Sequence, residues 1–136
     1  ISPPVAIADG EIRVRGAPEH LGRRVRDHLI LVARQELARR ARAFAPRIGK
    51  SAARIAVRDT QSRWGSCSAQ GNLSFSWRLV FAPPAVVDYV VAHEVAHLVE
   101  MNHGVLFWRL VASLTPEHKG PRAWLRRHRS RLFSYG

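Results

Sequence analysis

Three histidines and a glutamate occur in the segment HEVAHLVEMNH, residues 93–103. His93 and His97 are four residues apart, so on a helix they project from one face and can both coordinate a metal ion through imidazole nitrogens. Glu94 lies about 100° around the same helix from His93. From that position its carboxylate can accept a proton from a metal-bound water. The segment therefore predicts a hydrolytic metal site with Glu94 as the general base.

A catalytic metal site of this kind requires a third protein ligand, and two residues compete for the role. His103 follows His97 across the predicted end of the helix, so the chain can turn back and bring its ring to the metal. Glu100 lies on the same helix face, but a straight helix carries it about 10.5 Å beyond His93 along the axis. We predict His103 as the third ligand and Glu100 as an acceptor for the free ring N–H of a ligand. Zinc is the expected metal because it accepts neutral imidazole and has no redox chemistry.

The elements that must position these residues follow from the hydrophobic pattern. Apolar residues recur at helical spacing from Glu19 to about Ala45, which predicts a long amphipathic helix. Residues 54–59 and 72–81 have the alternating or continuous apolar pattern of strands, and the linking residues 60–71 are rich in Gly, Ser and Gln. These stretches predict a small antiparallel sheet with an ordered loop.

The second half of the sequence predicts three helices. Residues 82–84 (APP) suit a first helical turn, and the apolar pattern that follows runs to Met101, which predicts the helix that carries the histidines. Two more helices are expected at 104–114 and about 121–133. In the amino-terminal part, the segment EIRVRG predicts a short edge strand, with Ile12 and Val14 on one face.

Length and composition indicate one domain spanning residues 1–136. No apolar run approaches the ~20 residues of a membrane-spanning helix, so no membrane association is expected. A single cysteine, Cys67, agrees with a reducing compartment, and we expect a cytoplasmic protein. The amino end has neither an initiator Met nor the pattern of a signal peptide, which indicates a truncated or processed end.

The chain carries a formal net charge of +12, from 22 Lys plus Arg against 10 Asp plus Glu. Two interpretations remain open. A strongly basic surface attracts nucleic acid, phosphorylated ligands or acidic partners through its long-range field. Alternatively, arginine simply occupies the solvated faces of helices.

Residues 63–108, RWGSCSAQGNLSFSWRLVFAPPAVVDYVVAHEVAHLVEMNHGVLFW, resemble the YgjP-like metallopeptidase domain family, which is related more loosely to SprT-like and minimal gluzincin-type zinc proteases. The resemblance rests on the WGSC loop, the strand ending in WRL, the Pro-Pro start of the helix, the HExxH motif and the following HxxxFW pattern. It implies a zincin-like α+β domain in which His93, His97 and His103 bind zinc and Glu94 is the general base.

The motif and the resemblance together predict a zinc-dependent metallopeptidase that acts on a peptide or protein substrate through a zinc-activated water. We expect the substrate to add as an extended strand along an exposed edge near residues 72–76. The candidate substrate-binding residues are Trp64, Asn72, Phe75 and Arg78.

Two other functions remain as alternatives. A zinc-dependent phosphohydrolase acting on nucleotides or other phosphoanhydrides would use the many arginines to neutralise phosphate charge. A nucleic-acid-associated protease would agree with the loose similarity to SprT-like proteins and with the basic charge.

Overall fold

A computed structural model describes residues 5–8, 11–14, 18–60 and 62–134 of the chain, with side chains from residue 22 onward. It contains five strands and four helices within these ranges: β1 (Val5–Ala8), β2 (Glu11–Val14), α1 (Pro18–Phe44), β3 (Arg54–Arg58), β4 (Gly65–Cys67), β5 (Asn72–Ser76), α2 (Pro84–Ala96), α3 (Val105–Leu114) and α4 (Lys119–Phe133). The predicted α+β class is confirmed, with a small sheet, a long amino-terminal helix, the HExxH helix and two carboxyl-terminal helices. None of the described helices is both long and apolar enough to cross a membrane.

Helix α1 presents one apolar face to the core. Leu29, Ala33, Leu37 and Ala41 are spaced by four residues and are all buried, which places them along one side of the helix. The helix continues into a short 3₁₀ turn, Ala45–Ile48, and stops at Gly49, whose φ of 70° most residues avoid. The long helix predicted for this region is therefore confirmed to within a residue at each end.

The three-stranded sheet is mixed, so the prediction of an antiparallel sheet is wrong for one of its pairs. β5 is the central strand, with β4 antiparallel on one side and β3 parallel on the other. β4 and β5 form a hairpin in which Gly71, at φ 85°, allows the turn. The hairpin occupies one edge of β5, so β3 pairs with the opposite edge.

Two local predictions in this region are also wrong. The Gly/Ser-rich stretch 60–71 was expected to be a loop, yet residues 65–67 form strand β4 because their backbone pairs with β5. Residues 77–81 were expected to continue a strand but form a 3₁₀ turn. Ser76 ends the strand there, because its hydroxyl oxygen accepts a hydrogen bond of 3.2 Å from the backbone N–H of Arg78.

The amino-terminal strands form a separate two-stranded antiparallel pair, with Val5 opposite Val14. The predicted strand at EIRV is confirmed as β2, while β1 was not predicted. Ile12 and Val14 are predicted to share one face of this strand, but their side chains lie outside the described part of the structure.

A buried arginine joins three elements of the fold. Arg78, whose side chain is 4% exposed, donates to the Asp59 carboxylate at 2.7 Å and to the carbonyl of Thr60 at 2.8 Å. Asp59 also accepts a hydrogen bond of 3.0 Å from the indole N–H of Trp77 and pairs with Arg26 of α1. These hydrogen bonds and the positive charges lower the pKa of the Asp59 carboxyl. The network therefore fixes the end of β3 against the 3₁₀ turn and α1.

Replacing Asp59 by Ala should destabilise the protein by about 2 kcal/mol, because it leaves the buried Arg78 guanidinium without its carboxylate. Urea unfolding measures the change. Asp27→Ala is the matched control, since Asp27 pairs with Arg23 only at 4.0 Å and both side chains are largely exposed. Equal stability losses in the two variants would contradict the role given to Asp59.

Candidate metal centre

Helix α2 passes through the middle of the molecule and is apolar on nearly every side. It packs against α1, β4, α3 and α4, and nine of its residues are buried. The helix begins with a proline in its first turn, as predicted, where the missing N–H is not needed. Because α2 is enclosed, Glu94 is buried and His93 is half-buried, so neither lies on a solvated helix face.

The carboxyl end of α2 decides where the third histidine lies. The helix ends at Ala96, five residues before the predicted end at Met101, and His97 is its C-cap residue. The N–H groups of Leu98 and Val99 donate to carbonyls three residues earlier, at 2.9 and 3.1 Å, which tightens the final turn. The chain then turns back, and His103 returns to the helix.

The structure brings the three predicted ligand rings together. Ligand nitrogens of His93, His97 and His103 all lie within 4.8 Å of one another, and the Nε2 atoms of His97 and His103 are 3.0 Å apart. Two imidazole nitrogens bound to one tetrahedral zinc ion at 2.0–2.1 Å would lie about 3.3 Å apart. The spacing of His97 and His103 is therefore within a few tenths of an ångström of that value, and the three rings together form a donor set that can hold one metal ion.

A backbone carbonyl orients the ring of His97. Nδ1 of His97 lies 2.9 Å from the carbonyl oxygen of Glu100. A carbonyl only accepts, so Nδ1 carries the proton and Nε2 presents its lone pair to the cluster. Glu100 is the predicted acceptor for the ring N–H of a ligand. In the structure Glu100 does accept this hydrogen bond, but through its main-chain carbonyl and not through its carboxylate.

The first turn of α3 forms the floor beneath the three rings. Phe107 is completely buried, and its ring centroid lies 4.4 Å from that of His97, 4.9 Å from His93 and 4.8 Å from His103. Trp108 flanks the cluster at 5.9 Å from His93 and 6.2 Å from His103. The aromatic pair of the HxxxFW pattern therefore holds the imidazoles in place.

Burial keeps the imidazoles in the form that binds metal. It lowers the pKa of His93 to about 4, and the neighbouring His97 and His103 act in the same direction. Burial also lowers the pKa of His97, against the effect of the Glu100 carbonyl. Both rings are therefore neutral near pH 7, with lone pairs available for coordination.

Glu94 is held against a glycine of the sheet. The residue is 7% exposed, and burial raises the pKa of its carboxyl to about 7, with Arg63 opposing the change. A Cβ atom added to Gly65 in β4 would lie 2.9 Å from Cγ and 3.1 Å from Oε2 of Glu94. Only glycine fits there without moving one of its neighbours. Gly65 belongs to the WGSC loop, but no local pattern in the sequence distinguishes it from the other glycines.

The four predicted substrate contacts differ in their exposure. Phe75 is fully buried and Arg78 is buried in the Asp59 network. Trp64 is half-buried and packs on Phe133 with ring centroids 4.6 Å apart, while Asn72 is exposed at the start of β5. The expected substrate edge at residues 72–76 is wrong, because β5 is paired on both sides.

The sheet edge beside α2 belongs to β4. The Trp64 carbonyl accepts from Ser76 at 2.8 Å and the Ser68 N–H donates to Asn72 at 2.9 Å, so these residues face β5. In an antiparallel pair, the residues next to such hydrogen-bonded positions direct their N–H and C=O groups away from the partner strand. Gly65 and Cys67 therefore direct N–H and C=O groups to an edge that is free within the described part of the chain.

Comparisons with known proteins agree with this arrangement. The family model described as YgjP-like, metallopeptidase domain, matches residues 6–128. The chain is also similar to the crystal structure of the metallopeptidase zymogen of Pyrococcus abyssi abylysin, at 20% sequence identity and a TM-score of 0.55, covering 72% of this chain and 93% of that chain. At that identity the likeness concerns the fold alone. No curated protein matches the chain.

If the three histidines bind a divalent ion, His97→Ala should retain less than about a tenth of an ion per chain, because two remaining imidazoles hold zinc weakly. Metal analysis after desalting measures the content. His128→Ala is the control, since His128 packs on Trp124 outside the cluster, and it should keep the wild-type content. A full complement of metal in His97→Ala would contradict the assignment.

Proposed function

Because this chain belongs to the YgjP-like metallopeptidase domain family, we propose that it is a zinc-dependent peptidase in which Glu94 is the general base. The observation that carries the proposal is the clustering of three imidazoles, within 4.8 Å of one another, at the carboxyl end of the helix that also buries Glu94. A closed structural zinc site has four ligands and is rich in cysteine, whereas three histidines leave one coordination position for water or substrate.

The donor set favours zinc as the metal. His93, His97 and His103 offer nitrogen atoms alone, and borderline ions such as zinc prefer neutral imidazole to a purely oxygen environment. When bound, the ion lowers the pKa of a water molecule to about 7 and polarises the scissile carbonyl.

The side chains of the protein supply the remaining steps. Glu94 accepts the proton of the attacking water and delivers it to the nitrogen of the leaving amine. The absence of a side chain at Gly65 leaves room for the Glu94 carboxylate on the sheet side. Phe107 fills the space beneath the imidazoles, so the site is open to solvent on the side of the exposed His103.

The free edge of β4 supports a peptide as the substrate. Gly65 and Cys67 direct backbone groups to this edge, and a Cβ atom at Gly65 would lie 2.9 Å from Cγ of Glu94. An extended peptide that paired with β4 would satisfy these groups and pass next to the general base. A nucleotide or another phosphoanhydride makes no use of a strand edge.

Glu94→Gln should keep its zinc and lose hydrolysis of casein by roughly 10²–10⁴-fold, the usual contribution of a general base. Zinc content and initial rates are measured on the same preparations. Glu117→Gln serves as the control, because Glu117 lies between α3 and α4 and accepts a hydrogen bond from Gly120. Undiminished casein hydrolysis in Glu94→Gln would refute the assignment of the base, and Glu94-dependent hydrolysis of nucleotides alone would favour the phosphohydrolase alternative.

Gly65→Ala should lower kcat by about 100-fold, because the added methyl group displaces the Glu94 carboxylate, and a displacement near 1 Å can have an effect of that size. Zinc content should stay at the wild-type level. Gly22→Ala is the matched control: a Cβ at Gly22 meets nothing within 4 Å, so kcat should not change. Full activity in Gly65→Ala would contradict the positioning role.

A further inference from the structure

A second concave surface lies between α1 and β3. It is a groove of about 750 Å³. On the helix side it is lined by Arg34 and Arg42, and on the strand side by Arg54 and Arg58. None of the three clustered histidines and neither Glu94 nor Gly65 lines it. We call this surface the arginine groove.

The arginine groove follows the free edge of a strand. All five residues of β3, Arg54–Arg58, line it. Successive strand residues point to opposite faces of a sheet, so a surface that touches every one of them runs along the strand's edge. Within the described part of the chain, β3 pairs only with β5 and is the edge strand opposite β4. The groove therefore contains unpaired backbone donors and acceptors as well as arginines.

Among the described residues, no carboxylate neutralises the positive charge of the arginine groove. No Asp or Glu lines it. Arg34, Arg42 and Arg54 make no ion pair there, and Arg58 donates to the hydroxyl of Ser74 at 3.2 Å. By contrast, two other arginines of α1, Arg39 and Arg40, both form ion pairs with Glu36.

The spacing of the arginines matches an extended peptide. Arg34 and Arg42 are eight residues apart on a helix, about 12 Å along its axis. Arg54 and Arg58 are four residues apart on a strand, about 13 Å. In a strand added to β3, acidic side chains at positions i and i+4 would be separated by about 13 Å as well. One extended segment can thus bring carboxylates to both pairs of arginines.

We propose that the arginine groove binds an extended acidic peptide segment of another protein, which adds as a strand to the free edge of β3 and places its carboxylates against Arg34, Arg42, Arg54 and Arg58. Strand addition supplies main-chain hydrogen bonds, and the arginines select for acidic side chains. This site lies at the opposite edge of the sheet from the metal centre and does not depend on the proposed function.

Two other occupants suit the groove less well. A second copy of this chain that paired through β3 would bring its own arginines to face the same charges. Single-stranded nucleic acid is usually held by stacking of its bases on aromatic side chains, and no Phe, Tyr or Trp lines the groove among the described residues.

Fluorescence anisotropy tests the proposal at physiological ionic strength with a labelled ten-residue Glu/Thr peptide that repeats Glu-Glu-Thr-Thr, which places Glu residues four positions apart on both faces of an added strand. The same peptide with Gln for Glu should bind at least about tenfold more weakly, because the arginines lose their partners. A fully N-methylated Glu/Thr peptide, which lacks backbone donors, should also lose at least about tenfold. Mass spectrometry verifies that the probe stays intact during the measurement.

The double variants Arg34→Gln/Arg42→Gln and Arg54→Gln/Arg58→Gln should each weaken binding of the Glu/Thr peptide by about tenfold or more. Arg126→Gln/Arg127→Gln is the control, since these exposed arginines of α4 lie outside the groove and their loss changes the net charge equally. An equal loss in this control would overturn the proposal in favour of non-specific attraction.

Two further results would also overturn it. Undiminished binding of the N-methylated peptide would exclude strand addition. Tighter binding of a ten-nucleotide oligo-dT, lost in the same groove variants, would make the groove a nucleic-acid site.

Discussion

The burial of ionisable side chains on α2 is the constraint on which the rest of this structure depends. Glu94 and His97 are buried on a helix that is enclosed on nearly every side, and buried polar groups need partners or a change in their protonation. His97 is oriented by the carbonyl of Glu100, which is available because the helix stops at Ala96. The same early end lets the chain return with His103. The histidine cluster therefore follows from how the helix terminates as much as from the HExxH spacing.

The two edges of the small sheet border different surfaces of the protein. β5 is the central strand, with Phe75 in the core. β4 lies beside α2, and the absence of a side chain at Gly65 lets the sheet approach the Glu94 carboxylate. β3 forms the opposite edge and is bordered by the arginine groove. A mixed three-stranded sheet thus separates the histidine cluster from a basic surface.

The helices were predicted well because their signals are local. The apolar residues of α1 repeat every three to four positions, and α3 begins one residue from its predicted start. The errors fall where a distant partner decides the outcome. Gly65–Cys67 becomes a strand only because β5 is beside it, and the apolar run after Ser76 becomes a 3₁₀ turn that the Ser76 hydroxyl caps. The apolar pattern through Met101 indicated a longer helix, but the backbone leaves the helix after Ala96, and Val99 and Met101 are exposed.

The sequence by itself determined which chemistry the chain can carry. The spacing of His93, Glu94 and His97 needs only helical geometry, so a metal-binding pair and a neighbouring carboxylate could be predicted from the letters alone. The tertiary structure decided everything that joins distant residues: the return of His103, the carbonyl of Glu100 as the partner of His97, the contact of Gly65 with Glu94, and the arginines of α1 and β3 along one groove. The physical reason is that helical periodicity is a property of neighbouring residues, whereas these contacts exist only after the chain has packed.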